Sequence, residues 1–221
     1  MKTFKIRLMV LVVLSGSFQN SHCQQTEDKN QKLSSNPFFT ISKLPYQAPD
    51  FNKIKNSDFK PALEEGIQQQ LKEIDLIANS QTAPSFTNTI VAMEKSGQLL
   101  SRVNNVFNLL SGANTNPEIQ QLQEDIAPRL AALQDAIFLN TKLFKRCESI
   151  YKYRAKLQLD AESRKLVEYY YQQFLIAGAN LSDADKAALK KLNEEEASLS
   201  ARFTNKLLGA AKAGALVISD S

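Results

Sequence analysis

A chain of 221 residues with 43% apolar side chains can bury a sizeable core, which excludes wholesale disorder. The formal charge is +4, yet Lys2, Lys5 and Arg7 lie in an acid-free N-terminal stretch. Without that stretch 24 basic residues face 23 acidic ones, so no electrostatic bias towards nucleic acid remains. One histidine, His22, and two cysteines, Cys23 and Cys147, are present, too few for a disulfide framework or a histidine-based active site.

Met1–Cys23 reads as an export signal, with Lys2, Lys5 and Arg7 ahead of the apolar run Leu8–Leu14. Seven apolar residues are too few to span a bilayer, so no transmembrane helix is expected in the mature chain. Small residues compatible with cleavage occur at Ser15-Gly16-Ser17 and at Ser21-His22-Cys23. A lipid on Cys23 is disfavoured, because His22 stands where a lipobox has a small residue. The chain is therefore expected to be exported, to the periplasm in a bacterium. Gln24–Ser35 is polar and reads as a flexible tether. Asn36–Ser57 carries Pro37, Pro45 and Pro49, which forbid a continuous helix, while Phe38, Phe39, Leu44, Tyr46 and Phe51 call for burial. An extended arm laid across a helical surface satisfies both demands.

From there the periodicity is helical. Phe59, Leu63, Ile67, Leu71, Ile74 and Ile77 form the stripe of a first helix, capped by Ser57 or Asp58 and reaching about Asn79. Ser80–Ser85 is a loop. Ile90, Met93, Leu100, Val103, Phe107 and Leu110 then line one face of a long helix, about Asn88–Ser111, with Gly97 filling the gap in the stripe. Thr87 is its expected cap and Gly112 its expected end. Asn116-Pro117-Glu118 opens the next helix, whose stripe is Ile119, Leu122, Ile126, Leu130, Leu133 and Ile137. Pro128 predicts a kink near Glu124–Pro128. Asn140 caps a helix over Thr141–Lys156 that buries Leu143, Phe144, Cys147, Ile150 and Tyr151. Asp160 caps Ala161–Ala177, which Gly178 closes. Ser182, with Asp185 in capping-box position, starts a last helix to about Leu208, with the stripe Leu189, Leu192, Leu199, Phe203 and Leu207. Ala215–Ser219, after Gly214, is β-branched and reads as the start of a strand. The fold class is all-α: five or six antiparallel helices after an extended, proline-containing arm, with no fixed repeat period.

The residues that bear chemistry point to solvation and packing. Glu194-Glu195-Glu196 splay over most of a helical cylinder and cannot converge on one ion. Lys142, Lys145, Arg146, Lys152, Arg154 and Lys156 form a basic cluster interspersed with acids, which does not make a nucleic-acid site. Tyr169-Tyr170-Tyr171 face different ways and pack with phenol tips at the rim. Cys147 sits on an apolar face without a histidine base, so it reads as a small core residue. Neither a G-x-S-x-G elbow nor a glycine-rich phosphate loop occurs.

Several stretches taken together carry a resemblance. They are Asn36–Phe39 (NPFF), Leu44–Ile67, Phe86–Leu110, Ser111–Gln120 (SGANTNPEIQ) and Leu181–Phe203. In this order they resemble the N-terminal helical region of the thimet-oligopeptidase family of zinc metallopeptidases, in its peptidyl-dipeptidase (dipeptidyl carboxypeptidase) branch. The resemblance covers nearly all of Asn36–Ser221; each motif is weak alone, and the ordered combination is specific. It implies a two-lobed helical enzyme with a deep channel, short peptides as substrates, and zinc held in a C-terminal part by a HExxH helix and a downstream glutamate. HExxH needs two histidines, and His22 is the sole one here. Hence no catalytic, cofactor-binding or metal residue is assigned to any position. The expected domain plan is leader 1–23, tether 24–35, and over 36–221 the helical region of such a peptidase, inactive without its catalytic partner region. The alternatives are a self-contained exported helical interaction module and a cytosolic scaffold whose N-terminus is retained.

Overall fold

Apolar stripes at helical spacing fold by facing one another, and here they meet around one long central helix. The computed structural model describes residues 35–214. Helix α1 (Asn56–Ala78) is followed by a π-helical segment, Phe86–Val91, that runs on into Ala92–Glu94. Then come α2 (Gln98–Ala113), α3 (Pro117–Phe138), α4 (Thr141–Tyr153), α5 (Ala161–Ala177) and α6 (Asp183–Ala213). No strand occurs among the described residues, in keeping with an all-α fold. The expected leader, the tether up to Ser34 and the expected strand Ala215–Ser219 lie outside them.

Helix α1 packs against α2, α3 and α4; α3 lies along α6, and α4 along α5. The stripe residues of α1 from Phe59 to Ile77 are buried, with Leu71 half-buried. Those of the Ile90–Leu110 and Ile119–Ile137 stripes follow suit, Leu110 and Leu130 being half-buried. Each full burial of a Leu, Ile or Phe stabilises the fold by about 1.5–3 kcal/mol. At the centre Phe38, Phe59 and Phe107 form a chain of rings, with centroids 5.1 and 5.3 Å apart. Helices α1 and α2 approach closely at Gly66, where a Cβ would lie 2.8 Å from Leu100 Cα.

Caps that depend on a side chain one turn from its target form as expected. Asn116 accepts from Ile119 N–H, Asn140 from Lys142 and Leu143 N–H, Asp160 from Ser163 N–H and Ser182 from Asp185 N–H. Gly178 ends α5 with φ +93°. Elsewhere the boundaries differ. Helix α1 begins at Asn56, two or three residues earlier than a Ser57 or Asp58 cap implies, because Asp58 reaches back to accept from Lys55 N–H at 2.8 Å. Ser85, not Thr87, caps the π-helical segment by accepting from Asn88 N–H. Gly112 does not end α2, which continues to Ala113. Helix α4 stops at Tyr153, short of Lys156. Helix α3 runs through Pro128 as one element.

Three larger corrections follow from packing. The long helix expected over Asn88–Ser111 is broken at Gly97, which takes φ +70° and starts α2 afresh. Its N–H donates to the Glu73 carboxylate at 2.7 Å, so α1 fixes the break. The arm is not uniformly extended. It carries single helical turns at Pro37–Phe39 and Pro45–Gln47, and of its apolar side chains only Phe38 is fully buried; Leu44, Tyr46 and Phe51 are exposed. The stripe expected to bury α6 is also largely exposed. Leu192, Leu199, Phe203 and Leu207 are 56–68% exposed, and α6 buries Lys186 and Ala201 instead.

Candidate functional site

The arm and α2 enclose the first candidate, a groove of about 530 Å³. Behind its lining residue Phe38, the Asn36 side chain accepts from Phe38 N–H at 3.0 Å and donates to Asp58 C=O at 2.8 Å, anchoring the arm to the start of α1. Arg102, projecting from α2, donates through Nη2 to Phe38 C=O at 2.8 Å. Its Nε is buried and makes no hydrogen bond within the described residues. Ile41, Leu44, Ile54 and Val106 supply apolar wall, and Lys43, Lys53 and Arg102 supply positive charge. Asp50 accepts from Lys53 Nζ at 2.8 Å, and that contact raises the Lys53 pKa above its ordinary value. At the outer edge Tyr46 and Gln47 both take left-handed backbone, φ 56° and 57°, which is costly for side chains with a Cβ. Tyr46 stands fully in solvent. The groove holds cations and apolar surface but neither a nucleophile paired with a base nor two carboxylates facing one another.

The tyrosine run on α5 separates as its spacing requires. Tyr171 stacks on Tyr151 at 3.8 Å between centroids and 11°, with Phe144 on its other side at 6.0 Å. The Arg154 guanidinium lies 3.8 Å over the Tyr151 ring. Tyr170 is driven to a raised pKa, first by burial and then by its hydrogen bond to the Glu94 carboxylate. Tyr169, half exposed, meets Tyr170 edge-on. These rings tie α4 and α5 together.

The basic cluster disperses as well. Arg146 is 7% exposed; Nη1 donates to Ser80 C=O and Thr82 C=O at 3.0 Å each, and Nη2 to Asn88 Oδ1 at 3.1 Å. Burial lowers its pKa. Lys142 donates to Asn79 Oδ1, Lys152 pairs with Glu148, and Arg154 pairs with Glu168. Arg146 is thus a bolt through the loop between α1 and the π-helical segment, a role its place in a basic run conceals. Asn88, on the other side of the bolt, accepts from Ser85 N–H and the Thr89 hydroxyl and donates to Ala83 C=O.

Cys147 is completely buried, and burial pushes its thiol up to about 12, so it is no nucleophile near neutral pH. Glu194, Glu195 and Glu196 are all exposed. Among the described residues no three His, Cys, Asp or Glu side chains come together to hold a metal ion. His22 lies outside them. The donor set present does not fit a zinc site. No helix among the described residues is long and apolar enough to cross a membrane.

No protein-family model matches the chain. It is 47% identical over 189 residues to a dipeptidyl carboxypeptidase of Salmonella typhimurium, a match that takes in 86% of this chain and 28% of the relative. The Escherichia coli dipeptidyl carboxypeptidase is 48% identical over 185 residues, 84% of this chain and 27% of the relative. A more distant match is the organellar oligopeptidase A of Arabidopsis thaliana, 22% identical over 86% of this chain and 24% of that protein. The chain therefore spans about a quarter of the length of the curated relatives it matches.

Proposed function

Because this chain, over the segment it shares with them, belongs to the thimet-oligopeptidase family of the dipeptidyl carboxypeptidases, we propose that it forms the N-terminal helical wall of an exported zinc metallopeptidase. The complete enzyme hydrolyses short peptides and releases C-terminal dipeptides. The wall limits entry to peptides narrow enough for the channel, and the part of the polypeptide that longer relatives possess in addition supplies zinc and the activated water. By itself the present chain orders the channel and performs no hydrolysis.

One observation carries this reading. Nearly half of the aligned residues are identical across 86% of the chain, yet the described residues bring together no metal-ligating group. The chemistry of such a peptidase then has to come from elsewhere in a longer polypeptide. The test is a chimera that joins residues 36–221 to the remainder of the E. coli dipeptidyl carboxypeptidase. With short blocked peptides, mass spectrometry of the products should show successive C-terminal dipeptides, lost on adding a chelator and regained with zinc. A chimera that folds and binds zinc but releases no dipeptide would overturn the assignment.

A further inference from the structure

Helix α6 is amphipathic on two faces, and α3 uses the less apolar one. The face against α3 and α2 presents Asn193, Ala197, Ser200, Ala201, Thr204 and Asn205. Asn193 donates to the Asp135 carboxylate at 2.7 Å, while Asn205 donates to Gln120 C=O and to the Glu124 carboxylate. At about 100° per residue the stripe of Leu192, Leu199, Phe203 and Leu207 is centred roughly 125° round the cylinder from the centre of that face. These four side chains are 61, 56, 68 and 58% exposed. Three or four large apolar residues in register at helical spacing are the pattern of a helix with a second partner, whereas scattered exposed leucines are ordinary.

We propose that this stripe is a seam against the remainder of the same polypeptide, the part present in the longer relatives. The inference rests on the functional reading above for the identity of that remainder. The exposed area decides between occupants. Four large side chains, each about 60% exposed, present on the order of 500 Å². A stable complex between separate molecules needs about 800 Å² per partner, so a second copy docked through the stripe alone falls short. A tethered segment meets the same stripe at an effective concentration in the millimolar range, and the smaller area then suffices. The length is accounted for as well, because the chain spans 28% of the Salmonella relative. The seam also explains why α6 spends its polar and small residues on α3: close approach and hydrogen bonds hold that side, and the apolar side is left for the second partner.

The test is thiol labelling in two contexts. Leu199→Cys and Phe203→Cys are introduced singly into the 221-residue chain, which also carries Cys23→Ser, and into the chimera, which starts at residue 36, with Ile176→Cys, on α5 and 80% exposed, as control in both. Buried Cys147 stays in place as an unreactive background. In the short chain all three positions should react with a maleimide at the rate of a free thiol. In the chimera positions 199 and 203 should slow at least about 100-fold while 176 does not. Equal rates at 199 and 203 in both contexts would overturn the seam. So would protection in the short chain that grows with its concentration, which would assign the stripe to a second copy. If that junction gives no folded chimera, a junction moved within residues 214–221 is used, so that the two parts stay tethered and the labelling is read the same way. A protected chimera that releases no dipeptides removes the functional reading and leaves the seam, and an active chimera with unprotected thiols does the reverse.

Discussion

Replacing Arg146 tests whether a buried cation without a carboxylate partner holds the α1–α4 corner together. Its guanidinium donates to two main-chain carbonyls and to Asn88 Oδ1, over sequence separations of 58 to 66 residues. Arg146→Met keeps the apolar stem and removes the fork. Each hydrogen bond from a charged donor is worth about 1.5–3 kcal/mol, but removing the guanidinium also removes its desolvation cost. Thr82 is exposed and Ser80 half-buried, so water can satisfy their carbonyls in the variant. The balance predicts a loss of about 2–3 kcal/mol for Met and about 1–2 for Arg146→Lys, which keeps the charge but cannot span all three acceptors. Urea unfolding followed by circular dichroism should show the Met midpoint falling by about 1 M with an unchanged slope. Hydrogen exchange should quicken first in Ser80–Asn88. A Met variant within about 0.5 kcal/mol of the parent would refute the bolt and make Arg146 a tolerated burial.

Cys147 titrates near 12 when folded and near 8.5 when unfolded, so between those values the unfolded chain has released a proton that the native chain keeps. Stability therefore falls as pH rises past about 8.5, by about 1.4 kcal/mol at pH 9.5 relative to neutral, and Cys147→Ala should lack this component in matched urea titrations. Gly97→Ala places a Cβ on left-handed backbone, 2.4 Å from Gln70 Cδ, and should cost about 1–2 kcal/mol of thermal stability; a neutral outcome would mean that the break at Gly97 closes easily. Phe59→Ala empties the middle of the three-ring chain and should cost about 3–5 kcal/mol in the same assay.

The stripes of α1, of the Ile90–Leu110 stretch and of α3 were legible because their burial partners are within the described chain, each supplying a face to the others. The α6 stripe has the same period and the same residue types, yet its burial was misread. Periodicity reports that a face wants covering and says nothing about which molecule or segment covers it. Gly97 reads as filling a gap in the stripe, not as a break, because Met93 and Leu100 stay seven residues apart on either side of it; a left-handed φ leaves no trace in the spacing. In the arm, proline placement correctly barred a long helix, but Leu44, Tyr46 and Phe51 were assigned to a surface the described chain does not provide. Arg146 looked like one of a run of surface cations, since its acceptors are uncharged loop carbonyls far away in sequence. For the candidate site the sequence offered only a constraint: with a lone histidine at His22, Asn36–Ser221 cannot assemble a HExxH helix.

The most direct measurement is a peptidase assay on the purified 221-residue chain alone, with its zinc content determined on the same sample. The account predicts no dipeptide release from any short peptide and less than about one-tenth of a zinc per chain, since the described residues bring together no ligand set. Peptide trimming by this chain that a chelator abolishes, together with one zinc per molecule, would contradict it.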